Sequence, residues 1–297
     1  MTSSSTLVNI WSNIQIEQVK KRNGFTRKIV HPHVLQKSQL HNNNNYKWKI
    51  IWPNVIALII LHLSAFYGIH LVYAGYLYGK TILFGFLVCF CVYIGVAIGA
   101  HRLWSLQCFK ACFSLRVLLA IFQTLSFQNS IYKWVLDYRV HHTFFNTNAD
   151  PYNSTRGFFF SYLGWFLIQR HKDVFENGRS ISMYDVEADP IIMWQKRNYR
   201  WLGPLVGILL PTFIPHLFWE EQLWYSFMFV GLTRLVLTIH VTCLFNSAAN
   251  IWRIQTNNKI ITPTDDSEMN LIAYKELYHN NHKIFACDSK TSNSVTI

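Results

Sequence analysis

Histidine carries the chemistry that this sequence could perform. Five of its thirteen histidines fall into three short motifs. His101 lies in Gly99-Ala-His-Arg-Leu-Trp-Ser105, His141 and His142 end Asp137-Tyr-Arg-Val-His-His142, and His279 and His282 form His279-Asn-Asn-His282. Imidazole is a strong ligand for iron, zinc and copper, and histidines three or four apart on a helix share one side. Three such segments brought together would build a metal site. His62 and His70 lie inside an apolar run, and His31, His33 and His41 lie in the polar start of the chain. A lone histidine on an apolar face is usually a hydrogen-bonded structural residue, and these are read as structural.

The segments that would hold these motifs in place are apolar. The chain has 297 residues, 51% of them hydrophobic, 16% aromatic and only 14% charged. Ordinary globular domains are about 25% charged, so this composition excludes a disordered chain and a nucleic-acid-binding tail. The net charge of +12 suits loops lying against an anionic membrane face. Six scattered cysteines show no zinc-like CxxC pairing and read as small hydrophobes in a reducing or lipid setting.

Four stretches, about 51–74, 81–100, 203–219 and 223–245, approach the ~20 residues that cross a bilayer as helix. The links within each pair are short (Gly75–Lys80 and Glu220–Gln222), which predicts two helical hairpins. The expected fold is therefore an all-α membrane protein of four transmembrane helices, with a cytoplasmic, mainly helical domain carrying the histidines. Residues 1–48 read as a polar basic tail without a signal peptide, and its cations favour a cytoplasmic N-terminus. Residues 101–202 and 246–297 then share that side. Ser114 to Ser130 is apolar but interrupted by Arg116, Gln123 and Gln128, so it is expected to lie at the interface rather than span. Pro204, Pro211 and Pro215 predict a kinked third span, and Arg234 in the fourth must face protein or a cavity.

At these motifs the chain resembles the membrane acyl-CoA desaturases of the Δ9, stearoyl-CoA type, above all those of insects. The likeness runs from about Ile51 to the C-terminus, so that 49–297 reads as one desaturase domain. It is carried by Phe127-Gln-Asn-Ser-Ile-Tyr-Lys-Trp-Val-Leu-Asp137, by Asn148-Ala-Asp-Pro-Tyr-Asn-Ser-Thr-Arg-Gly-Phe-Phe-Phe160 and by Asn246-Ser-Ala-Ala249. The resemblance implies an oxygen-dependent enzyme of the endoplasmic reticulum membrane with both termini cytoplasmic. Two irons, held by nine histidines and an asparagine acting through water, would remove two hydrogens from a fatty acyl-CoA. Electrons would come from cytochrome b5 and its reductase.

Residue by residue, the implied metal set comprises His101, His141, His142, His279, His282 and Asn246. Four further ligand positions hold Leu106, Tyr138, Asn250 and Lys283 instead of histidine. Leu106 offers no donor, and a cationic Lys283 would repel a metal. Tyr138 could bind ferric iron as phenolate and Asn250 could offer a carbonyl oxygen, both differently tuned from imidazole. Asn54, Asn129 and Asp137 match positions that contact the acyl-CoA head group in the family. Family arginines are replaced by Leu136 and Gln169, and a tryptophan by Cys243. Disturbing second-shell partners alone costs about 10–100-fold in metal affinity or activity, and four lost ligands should cost more. Three functional readings follow. The chain is a desaturase impaired by its altered site, a silent desaturase-like protein binding acyl chains or an active relative, or a mononuclear-metal hydroxylase-like variant.

Overall fold

The computed structural model describes residues 48–145 and 147–251, with side chains described through Leu244. Four helices among the described residues are long and apolar enough to cross a membrane. They are α1 (Trp52–Tyr73), α2 (Gly79–Ser105), α7 (Pro190–Trp219) and α8, which opens at Leu223–Ser226 and ends in Arg234–Ile251. Between α2 and α7 lie α3 (Phe113–Leu125), α4 (Ile131–Thr143), α5 (Lys172–Gly178) and α6 (Tyr184–Glu187). Among the described residues the only β-pairing is a single antiparallel bridge between Ile50 and Ile168. The protein is all-α.

The hairpin links meet at one end of the bundle. Glu221 is buried, and its carboxylate accepts from the backbone N–H of Tyr78 at 3.0 Å and from the Thr81 hydroxyl. A carboxylate there satisfies amide donors that the first turn of a helix leaves open and complements the positive end of the α2 dipole. Trp219 reinforces the junction, its indole N–H donating to Thr81 Oγ1 at 2.8 Å.

The third long helix begins at Pro190, thirteen residues before the apolar stretch seen in sequence, and passes through Pro204 without ending. A π-wound turn, Leu205–Leu209, follows that proline. Pro211 has no N–H to give to the carbonyl four residues earlier, that of Gly207. The buried Arg234 supplies the missing donor. Its guanidinium donates to Gly207 O, to Leu125 O at 2.7 Å and to Val230 O at 3.0 Å. Leu125 is the last residue of α3, where carbonyls also lack helical partners. An arginine in a membrane span is here the donor for carbonyls that a proline and a helix end had orphaned.

Helix α3 is short and amphipathic. Leu119, Ala120, Gln123 and Thr124 face inward, whereas Phe113, Leu118 and Ile121 are exposed. Gln123 and Thr124 receive the two N–H donors of the Gln195 amide at 2.9 and 2.8 Å, fastening α3 to α7. The helix stops at Leu125 because Phe127 and Asn129 take positive φ values of 54° and 74°.

A second polar chain crosses the bundle. His62 Nδ1 lies 2.7 Å from Leu58 O, His62 Nε2 lies 2.8 Å from His240 Nε2, and His240 Nδ1 lies 2.6 Å from the Tyr162 hydroxyl. A carbonyl only accepts, so His62 carries its proton on Nδ1. His240 then donates from Nε2, and the Tyr162 O–H donates to His240 Nδ1. His62 is thus a structural histidine with defined partners.

Candidate metal centre

The last three turns of α2, Gly95–Ser105, are π-wound, with the N–H of Leu106 donating to His101 O at 3.0 Å. Five-residue hydrogen bonds widen the helix, and such turns recur at functional sites. Gly95 permits the close approach that this end requires, since a Cβ there would overlap the backbone of Phe122 and Gln123 on α3. The outcome is that His101 is buried against α4.

Helix α4 has two working faces, as its 3.6-residue period dictates. Trp134, Tyr138, His141 and His142 lie toward α2. The Tyr138 hydroxyl and His101 Nε2 are 2.6 Å apart, and Tyr138 is stacked on Trp134 at 5.3 Å and 9°. The His142 ring lies 4.2 Å from that of Tyr138 and 5.6 Å from that of His141, centroid to centroid. His141 donates from Nδ1 to the buried Asp150 at 2.7 Å. That bond places the lone pair on His141 Nε2, the arrangement by which carboxylates orient metal-binding imidazoles. Asp150 belongs to the quoted motif Asn148-Ala-Asp-Pro, but nothing in its spacing announces the pairing.

Thus His101, His141 and His142 gather with Tyr138. Leu106, expected from the family likeness at the next ligand position on the same segment, is a buried hydrocarbon side chain. The described residues hold no group of three or more His, Cys, Asp or Glu side chains placed to grip one ion. Asn246 and Asn250 lie on α8, but their side chains fall outside the described residues, as do His279, His282 and Lys283.

The opposite face of α4 carries Lys133, Leu136, Asp137 and Val140 and borders a cleft of about 440 Å³ shared with Val174 and Met183. Asp137, expected to touch a head group, is buried and accepts two parallel bonds from Arg170 at 2.6 and 2.8 Å. It also accepts one from Lys133 at 2.8 Å. Burial opposes the charge on Arg170, but the bonds to Asp137 outweigh it and hold the guanidinium pKa up. Burial, with Asp137 nearby, likewise pushes the Tyr152 hydroxyl up. Asn54 donates to Phe166 O at 2.7 Å, so it and Asp137 reach the segment 165–170 at its two ends. Asn129 is exposed at the turn between α3 and α4. No sign of the Arg170 fork is visible in the order of residues, because Arg170 lies outside every motif.

Arg139 secures the junction between α2 and α4. Its guanidinium donates to Trp104 O at 2.8 Å and to both carboxylate oxygens of Asp185 at 2.8 and 2.6 Å. Asn153-Ser-Thr155 serves as a local cap. Asn153 is buried, donating to Thr147 O at 2.8 Å and accepting from Thr155 N at 2.9 Å.

These features define a multi-pass helical membrane protein with an imidazole-rich cluster beneath its second span. No protein-family model matches the chain. Curated relatives do. It is 44% identical over 235 residues to the acyl-CoA Delta-9 desaturase of Acheta domesticus, covering 79% of this chain and 65% of that one. It is 42% identical over 234 residues to the acyl-CoA Delta12-desaturase of the same species, with 79% and 65% covered. With the acyl-CoA desaturase of Cyprinus carpio the identity is 40% over 233 residues, covering 78% of this chain and 71% of that one. The chain belongs to the acyl-CoA desaturase family. The match spans 65% of the length of its Acheta domesticus relatives.

The family implies iron, and the donors can be tested for fit. Leu106, where the family likeness leads one to expect a ligand, is hydrocarbon, and Tyr138, where it leads one to expect another, is a phenol bonded to His101 Nε2. The donors among the described residues do not fit a pair of irons held by imidazoles.

Proposed function

We propose that this chain is a membrane-bound acyl-CoA desaturase relative that retains a fatty acyl-CoA binding scaffold without assembling the two-iron centre, and so does not desaturate. The observation that carries this reading is the 2.6 Å bond between Tyr138 and His101 Nε2, beside the buried Leu106. The phenol occupies the donor atom of one ligand, while leucine removes another. Asn250 and Lys283, at two more ligand positions, extend the deficit by sequence.

The retained parts suit acyl-CoA. Arg170 and Lys133 hold Asp137 at the edge of the cleft, which is of a size to take part of a bulky head group. The basic N-terminal tail supports a cytoplasmic N-terminus and four spans return the C-terminus to the same side, while the endoplasmic reticulum membrane rests on the family likeness. Cytochrome b5 and its reductase would serve an active relative, because without paired irons there is no acceptor for their electrons.

The test is metal content joined to product. Purified in mild detergent, the chain is expected to hold less than one iron per molecule, and in desaturase-deficient yeast it is expected to leave growth dependent on added unsaturated fatty acid. Restoring Leu106→His, Tyr138→His, Asn250→His and Lys283→His together should raise iron toward two. Two irons on the unaltered chain, or robust rescue of growth, would overturn the proposal; one iron per chain would favour the single-metal variant instead.

A further inference from the structure

The end of α7 that projects beyond its apolar stretch carries a pattern that the acyl-CoA chemistry does not use. At 30 residues and 1.5 Å each, α7 is about 45 Å long against about 30 Å of hydrocarbon, so about ten residues stand outside it. The N-terminal part, Pro190–Pro204, contains Lys196, Arg197 and Arg200 and no carboxylate.

Trp194, Arg197 and Trp201 follow one another at i, i+3 and i+7, in line with Leu205. Trp194 is 59% exposed, Trp201 76% and Leu205 55%, and Arg197 is exposed. In a bilayer Leu205 meets lipid tails, and the same uncovered stripe runs without a break onto the tryptophans and the arginine. Tryptophan favours the boundary between acyl chains and head groups. The carboxylates nearest in sequence are engaged. Asp189 pairs with Arg116 at 2.8 Å, and Glu187 accepts from the Tyr132 hydroxyl at 3.0 Å. Lys196 leans over the Tyr132 ring and Arg200 over the Trp201 ring. Arg197 forms no ion pair among the described residues. Exposed Phe113 and Leu118 of α3, which packs beside this part of α7, widen the apolar side of the face.

We propose that Trp194, Arg197, Arg200 and Trp201 form a binding site for the head group of an anionic phospholipid. The indoles sit at the acyl boundary and the guanidiniums take the phosphate and its neighbouring anion. Guanidinium suits this task because its planar fork meets phosphate oxygens in pairs. Continuity with the lipid-facing stripe favours a lipid over a protein partner, and the local excess of unopposed cations favours an anionic one. Such lipid binding is independent of the metal content of the site.

The test is lipid titration of the full chain in detergent, read by native mass spectrometry with phosphatidylserine and phosphatidylcholine. Each cation near an anionic head group contributes about five-fold in affinity. The pair Arg197→Gln and Arg200→Gln is therefore expected to lower phosphatidylserine binding about 25-fold and leave phosphatidylcholine binding nearly unchanged. The pair Arg197→Lys and Arg200→Lys should keep most of the preference and shows that the fold tolerates change there. Equal binding of the two lipids by the unaltered chain, or a preference that survives the glutamine pair, overturns the proposal. So does a cross-linked dimer that Trp201→Ala abolishes, which would assign the face to a second copy of the chain.

Discussion

Replacing Asp137 with asparagine probes the charged knot beside the cleft. The carboxylate accepts three charge-assisted bonds at 2.6, 2.8 and 2.8 Å, two of them from one guanidinium. The side chains of Asp137 and Arg170 are 7% and 19% exposed, whereas Lys133 is 38% exposed. Breaking a buried pair by removing one partner costs about 3–5 kcal/mol, and the residual exposure of Arg170 argues for about 3 kcal/mol. An exposed i,i+4 pair is worth about 0.5 kcal/mol. For a chain of this size about 1 kcal/mol moves the melting temperature by about 3 °C. Asp137→Asn is thus expected to lower the melting temperature in detergent by about 9 °C, and Lys133→Gln by about 1–2 °C. Arg170→Gln should match Asp137→Asn, and the double variant should cost little more than either alone, because both lose the same interaction. A melting temperature for Asp137→Asn within about 1 °C of the parent would refute the argument. So would an Arg170 variant no more costly than the Lys133 one, since both results would mean that solvent already screens the fork.

Gly95→Ala is expected to lower the melting temperature by about 9 °C or prevent recovery of folded protein, because the new methyl group meets the backbone of α3 rather than a movable side chain. Gly79→Ala, which meets nothing within 4 Å, should be tolerated in the same thermal assay. At Asp185, burial alone would raise the carboxyl pKa, but the Arg139 guanidinium outweighs it and holds it below the usual range. A depressed folded pKa stabilises above the ordinary value near pH 4 and is lost as pH falls through the folded value. Melting temperatures taken from pH 6 down to about pH 3 should therefore fall for the parent and fall less steeply for Asp185→Asn.

The membrane character and the helical hairpins are legible in the residue order alone, because apolar length and short polar links are local quantities. Likewise, the polar interruptions of Ser114 to Ser130 announce an amphipathic helix, which the structure shows as α3, too short to be among the four spans, although the positive φ angles that end α3 five residues early leave no mark in the pattern. The three histidine motifs and the family likeness are also written in consecutive residues. Partnership was not. Arg234 meets the carbonyl orphaned by Pro211 across 27 residues of chain, and Tyr138 meets His101 across 37. Asp137 finds Arg170 across 33 residues, and His62 finds His240 across 178. Such pairs form because a buried donor or acceptor left without a partner is costly in hydrocarbon, and which groups are left over depends on how the helices pack. Spacing along the chain shows which atoms could bind; packing decided that a phenol came to rest on the imidazole nitrogen of His101.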